Sequence, residues 1–319
     1  MRKIILVLIT FLMTVSLSGC LRQTSQVSPE KKKLSVVTTI FPIYDWVKNI
    51  AGEETVEIEM LMDSGVDLHS FQPSADDIMK IRNCDLFIYI GGESDEWIED
   101  VLDEGFSQEI RTVNLLELLK DLVKEEEIVE GMQKEEDDDK EADEHIWLSL
   151  NNAIAAVEKI TEALEEIDVQ HQEVYQTNAE AYIQELKDLD QKYVETVSAS
   201  ALNTLLFADR FPFRYLCDDY YLNYYAAFAG CSAETEASFE TIVFLADKID
   251  ELSLRNIMII ESSDGRIAET IKENTKTKDQ QILRLDSMQS ITSAQVENIS
   301  YLQIMETNLE VLKEALKGE

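Results

Sequence analysis

Residues 172–197 read QEVYQTNAEAYIQELKDLDQKYVETV. Tyr175, Ala179, Tyr182, Leu186, Leu189, Tyr193 and Val197 recur three or four residues apart, which puts them on one face of a helix. Glu180, Glu185, Lys187, Asp188 and Lys192 turn the other way. Neither glycine nor proline occurs between Gly131 and Pro212, so nothing breaks or kinks this helix. At 1.5 Å per residue it would run for roughly 40 Å, the span of a whole lobe. On either side lies a block that alternates short β-branched runs with helical patterns. The expected fold class is therefore α/β: two similar lobes, each a mainly parallel four-stranded sheet with helices on both faces, joined by one long rigid helix. The competing expectation is an ordinary core helix within one domain. The lobes are expected at 34–168 and 199–319, with the linking helix at 169–198.

In the first block, strands are predicted at Leu34–Thr39, Val56–Met62, Leu86–Ile90 and Arg111–Asn114. Phe41-Pro42 starts a helix that ends near Gly52, and Ser74 with Asp77 forms a capping box for another that runs to Arg82. From Glu125 to Glu144, twelve carboxylates stand against Lys134 and Lys140. Such a run repels itself, and a disordered acidic loop is expected over 124–144. Asn151 is predicted to cap a helix that ends at Ile167. In the second block, strands are predicted at Thr204–Phe207, Asn223–Ala227, Ile257–Glu261 and Gln281–Leu285. Helices are expected at about Pro212–Tyr221, Phe239–Leu252, Ile267–Lys276 and Ser293–Lys317. The repeated plan suggests a structural duplication without a residue-level repeat.

With 319 residues, the chain can hold two cores. Its net charge of −36 argues against nucleic-acid binding, which needs Lys and Arg to neutralise phosphates. Such a surface suits a receptor for something cationic, or simply favours solubility. Arg2 and Lys3, the apolar run Ile4–Val15 and then Leu17-Ser18-Gly19-Cys20 have the layout of a signal peptide (1–19) that ends in a bacterial lipoprotein box. Lipid on Cys20 and a polar tether over 20–33 are expected, and with them attachment to the extracytoplasmic face of the cell membrane. Cys84 precedes an apolar strand and is expected to be buried. Cys217 and Cys231 could form a disulfide in an oxidising compartment.

The chain has three histidines. His171 opens the long helix among glutamines, where a solvated role is expected. His69 and His145 sit in loops where open α/β sheets place ligand sites. Asp209, Glu261 and Asp286 each fall at the carboxyl end of a predicted strand. Two imidazoles facing strand-end carboxylates are consistent with a divalent metal site. N-capping of the following helix is the plainer role for each carboxylate.

Val36-Val37-Thr38-Thr39-Ile40-Phe41-Pro42-Ile43-Tyr44-Asp45, Gly65-Val66-Asp67-Leu68-His69-Ser70-Phe71-Gln72-Pro73-Ser74, Ala142-Asp143-Glu144-His145-Ile146-Trp147-Leu148 and Leu285-Asp286-Ser287 occur in that order. Together they resemble the metal-binding lipoproteins, the solute-binding proteins of zinc and manganese ABC importers. The resemblance covers about Leu34 to Leu316. It implies a non-enzymatic receptor with one divalent ion in the cleft between the lobes, delivered to a membrane permease. By position, His69 and His145 match the first two ligands and Asp286 the aspartate ligand. The histidine that commonly serves as third ligand is replaced by Arg210, which stays protonated and cannot ligate. Asp209 beside it is the expected substitute, Glu261 is a second candidate, and Arg210 could hold either in place. The resemblance implies zinc, with manganese as the alternative, and a monomer. A surface adhesin and a secreted metallohydrolase are the rival functions. No His-Glu-x-x-His motif supports the hydrolase.

Overall fold

Two parallel sheets share one strand plan. β1 (Leu34–Thr38), β2 (Val56–Met60), β3 (Leu86–Tyr89) and β4 (Arg111–Asn114) lie in the order β2-β1-β3-β4. β5 (Thr204–Phe211), β6 (Asn223–Ala229), β7 (Asn256–Ile260) and β8 (Gln281–Leu285) lie in the order β6-β5-β7-β8. Counted within each lobe, both read 2-1-3-4, so the duplication lies in topology, not in residues. The computed structural model describes residues 33–103, 110–133, 141–232 and 236–318. The expected signal peptide and Cys20 fall outside them.

Parallel pairing needs crossovers, and helices supply them. They are α1 (Phe41–Ala51), α2 (Ala75–Asn83), α3 (Trp97–Asp103), α4 (Leu115–Leu118), α5 (Leu150–Ile167), α6 (Gln172–Ser198), α7 (Arg214–Asp219), α8 (Phe239–Leu252), α9 (Arg266–Asn274), α10 (Ser293–Val296) and α11 (Tyr301–Ala315). The capping box of Ser74 and Asp77 opens α2 as expected. Alternation along the strands explains why both faces of each sheet are covered. Val37 and Phe87 pack against Ile81 of α2 and Ile98 and Val101 of α3. Leu206, Ile257 and Ile259 pack against Leu245 and Ile249 of α8 and Ile271 of α9. The opposite faces, including Val36, Ile88, Phe207 and Met258, join a single core with α1, α5, α6 and α11.

The long helix is 27 residues, and its buried side chains are Tyr175, Ala179, Tyr182, Leu186, Leu189 and Tyr193. Val197 is only half-buried. Its tyrosines bury their rings and still satisfy their hydroxyls. Tyr182 donates to Asp45 Oδ2 of α1 (3.3 Å), and Tyr193 donates to the Met305 carbonyl of α11 (2.7 Å). Because α6 is packed along this seam, truncating Leu186 to alanine should cost about 2–5 kcal/mol.

Four local expectations need correction. Ser149, not Asn151, caps α5, accepting from the Asn152 N–H. The predicted Ser293–Lys317 helix is two helices, because Ser300 and Gln303 form a fresh capping box at the start of α11. β5 continues past Phe207 to Phe211 through a register shift between Phe207 and Arg210. The described flanks of the acidic stretch are ordered. Glu126 N–H bonds to the Glu141 carbonyl and Asp143 N–H to the Lys124 carbonyl, both at 2.8 Å. This strap then crosses to the other lobe, where Gln133 N–H reaches the Ala227 carbonyl (2.9 Å) and Lys124 pairs with Asp218. Gly131 makes the crossing possible: its φ is +89°, and a Cβ there would lie 2.0 Å from Phe244 Cδ1. The run repels itself only where countercharges and backbone partners are lacking, and the second lobe supplies both.

Candidate metal centre

His69 is set by the loop after β2. Leu68 is buried beneath it, and Asp67 Oδ1 accepts from the His69 backbone N–H (3.1 Å), opening a 3-10 turn over Leu68–Ser70. Ser94, in the turn after β3, lies 2.7 Å from His69 Nδ1 through its hydroxyl. Ser94 is fixed in turn by its N–H bond to Glu144 Oε1 (2.8 Å).

His145 is fully buried. Asp143 Oδ1 accepts from both its backbone N–H (3.0 Å) and its ring Nδ1 (2.9 Å). A carboxylate at Nδ1 fixes the proton there and leaves Nε2 as a bare lone pair. With both Nδ1 atoms engaged, the two Nε2 atoms face each other at 3.4 Å. Burial, followed by the neighbouring His145, pushes the His69 imidazole down to about 3, so it is neutral at ordinary pH.

A sulfur from the other lobe lies beside the two histidine rings. Cys231 follows β6, and its Sγ lies with the two histidine nitrogens in a group whose members are all within 4.8 Å of one another. Among the described residues no other group of three His, Cys, Asp or Glu donors meets this spacing. Burial, then Glu126, Glu144 and Asp143, pushes the Cys231 thiol well up. Cys217 is buried on α7, and the cysteines among the described residues form no disulfide.

The expected carboxylates lie outside this group. Asp209 lines a cavity of about 580 Å³ that also holds Asp67, His69, Arg210 and Ser232. Its Oδ1 accepts from the Arg210 N–H (2.9 Å), and burial pushes its carboxyl up. Asp286 Oδ1 accepts from the Met288 N–H (2.8 Å); burial, then Glu261, raises it to about 6. Glu261 is engaged by Ser287 N–H and Oγ (2.8 and 2.9 Å), Gln289 N–H and Ser290 Oγ, so it organises the loop after β8. Arg210 reaches Asp209 only through its backbone N–H; its guanidinium crosses instead to Asp67. His171 bonds Asp168 at the entry to α6 and is half-buried rather than solvated.

The family profile described as zinc-uptake complex component A, periplasmic, matches residues 36–315. The chain belongs to this family. The zinc-uptake component A family thus covers both sheets and α6. The zinc-binding lipoprotein AdcA of Streptococcus pneumoniae is 30% identical over 288 residues, 90% of this chain and 56% of AdcA. The chain therefore spans little more than half of that relative. The high-affinity zinc uptake system protein ZnuA of Bacillus subtilis is 27% identical over 304 residues, covering 94% of this chain and 93% of its own. The crystal structure of the Zn(II)-bound ZnuA-like domain of pneumococcal AdcA superposes with a TM-score of 0.72 at 27% identity, over 90% of this chain and 100% of that domain.

The sequence pattern does not single out Cys231, because Cys217 and Cys231 read first as a disulfide pair. The signal was present: Gly230-Cys231 directly follows the apolar run of β6, the same strand-end position that singled out Asp209, Glu261 and Asp286.

Proposed function

We propose that this member of the zinc-uptake component A family is a lipid-anchored, extracytoplasmic receptor. It binds one zinc ion as cargo between its lobes and delivers it to an ABC permease. The observation that carries this is the pair of Nε2 atoms 3.4 Å apart, each ring held through its Nδ1. Two nitrogens on a tetrahedral zinc at 2.0–2.1 Å lie about 3.3–3.4 Å apart, so the pair already has the spacing of one edge of that tetrahedron. His69 and His145 are the anchoring ligands, and a carboxylate from Asp209 or Asp286 adds charge to the site. Asp209 is supported by sharing a cavity with His69. Asp286 is supported as a buried carboxyl whose strongest charged neighbour is another carboxylate, Glu261.

Manganese is disfavoured, since it prefers more oxygen donors in octahedral geometry. The relatives named for zinc add weight to zinc. Titration of the purified chain with Zn²⁺ and Mn²⁺ in competition tests the reading. One equivalent of Zn²⁺, not displaced by excess Mn²⁺, is expected; preference for Mn²⁺, or no binding, overturns it.

A further inference from the structure

Neither histidine belongs to the second lobe, and that lobe contains no histidine at all. A soft or borderline donor from that side must then be sulfur. Cys231 meets the need: its Sγ shares a 4.8 Å group with His69 and His145. Two further features hold it there. The Gly230-Cys231 turn lies so close to the His145 ring that a Cβ on Gly230 would be 3.0 Å from His145 Cε1 and 3.0 Å from the Phe211 carbonyl oxygen. Glu126, on the strap from the first lobe, accepts from the Cys231 backbone N–H at 2.8 Å. The thiol is not consumed in a disulfide with Cys217.

We infer that Cys231 ligates the cargo metal through sulfur, so that the ion sits on two imidazole nitrogens and one thiolate and the receptor discriminates by softness. The inference rests on the receptor reading above and adds a donor to it. On binding, the thiol proton leaves to solvent as the metal–sulfur bond forms, and no electrons change hands. A thiolate favours Zn²⁺ and Cd²⁺ and gives Mn²⁺ little, because manganese prefers oxygen. The site's selectivity would then lie in residue 231.

Cobalt substitution in the purified chain is the test, since Co²⁺ occupies zinc-like sites and reports sulfur directly. The wild type should show tetrahedral ligand-field bands together with a sulfur-to-cobalt charge-transfer band. C231S should keep ligand-field bands at higher Co²⁺ and lose the charge-transfer band, whereas C217S should keep both. C231S should also weaken Zn²⁺ on the order of 100-fold and change any Mn²⁺ affinity little, narrowing the gap between the two. A wild-type cobalt complex with ligand-field bands but no charge-transfer band overturns the role of Cys231 and leaves the receptor intact. A band that survives in C231S or vanishes in C217S does the same. If neither Co²⁺ nor Zn²⁺ binds, the receptor reading falls and the inference falls with it.

Discussion

Arg210, near the end of β5, pairs across the cleft with Asp67, two residues before His69. Both side chains are mostly buried, at 15% and 17% exposure. Asp67 spends one oxygen on the His69 backbone N–H, so the second lobe's cation steadies the first lobe's histidine turn. Arginine serves here as a clamp on the histidine turn. R210A should leave Asp67 charged and poorly paired, lowering stability by about 2–4 kcal/mol in urea unfolding. Calorimetry should also show weaker Zn²⁺ binding; unchanged stability and affinity would reduce the pair to a surface contact.

H69A and H145A should each abolish tight Zn²⁺ binding, but only one should strongly perturb the fold. His145 is fully buried, and its Nδ1 satisfies Asp143, so H145A opens a cavity and strands a carboxylate, costing about 2 kcal/mol or more. His69 is less enclosed, and H69A should unfold near the wild-type midpoint. H171A should leave Zn²⁺ affinity unchanged. Thermal melts beside calorimetry separate these outcomes.

E126A should weaken Zn²⁺ binding several-fold without touching a donor atom, by freeing the Cys231 backbone N–H. The variant E130A, which removes an exposed carboxylate of the same acidic stretch, should leave equilibrium affinity unchanged at high salt, where exposed charges are screened. Equal effects of the two would point to bulk charge rather than to the hydrogen bond.

Asp45 gives a pH signature outside the metal centre. Burial raises its carboxyl to about 6, against hydrogen bonds from Tyr301 N–H, Tyr182 and Asn49 that lower it. A group raised in the folded state favours folding when protonated. Its contribution is fully present below the unfolded value near 4 and is lost as pH rises through 6. Wild type should therefore lose about 1 kcal/mol between pH 5 and pH 7 relative to D45N. Parallel slopes for the two proteins would refute this.

Metal should move the lobes little. The inner faces of both sheets belong to one apolar core with α6, so wide hinge opening would expose it. Scattering from metal-free and zinc-loaded protein should give nearly equal radii of gyration; a large contraction would contradict the shared core.

The fold was legible because periodicity is local. The seam from Tyr175 to Tyr193 and strands such as Arg111–Asn114 and Gln281–Leu285 declare themselves by spacing alone. The break before α11 was harder to see, since Ser300 ends one apolar pattern without interrupting it. Partners distant in sequence left no such trace. Nothing near Asp67 announces Arg210, and nothing in the acidic run announces that Gln133 will meet Ala227. The two histidines stood out because histidine is rare in this chain. Cys231 did not, because two cysteines in a chain expected to be exported invite a disulfide first.

The last helix, α11, returns to the first lobe. Tyr301 N–H bonds Asp45 across 256 residues, its hydroxyl reaches the Trp147 carbonyl, and its ring packs edge-on to Trp46 at 5.4 Å. The first lobe's interior is thus sealed by a segment synthesised near the end of the chain. Loop closure over such a separation is slow, and the early part of the chain must wait for the late part before it can become native. For the extracytoplasmic receptor proposed above, such a delay would be useful: a chain that must cross a membrane stays loose enough to be translocated and locks only after most of it has crossed.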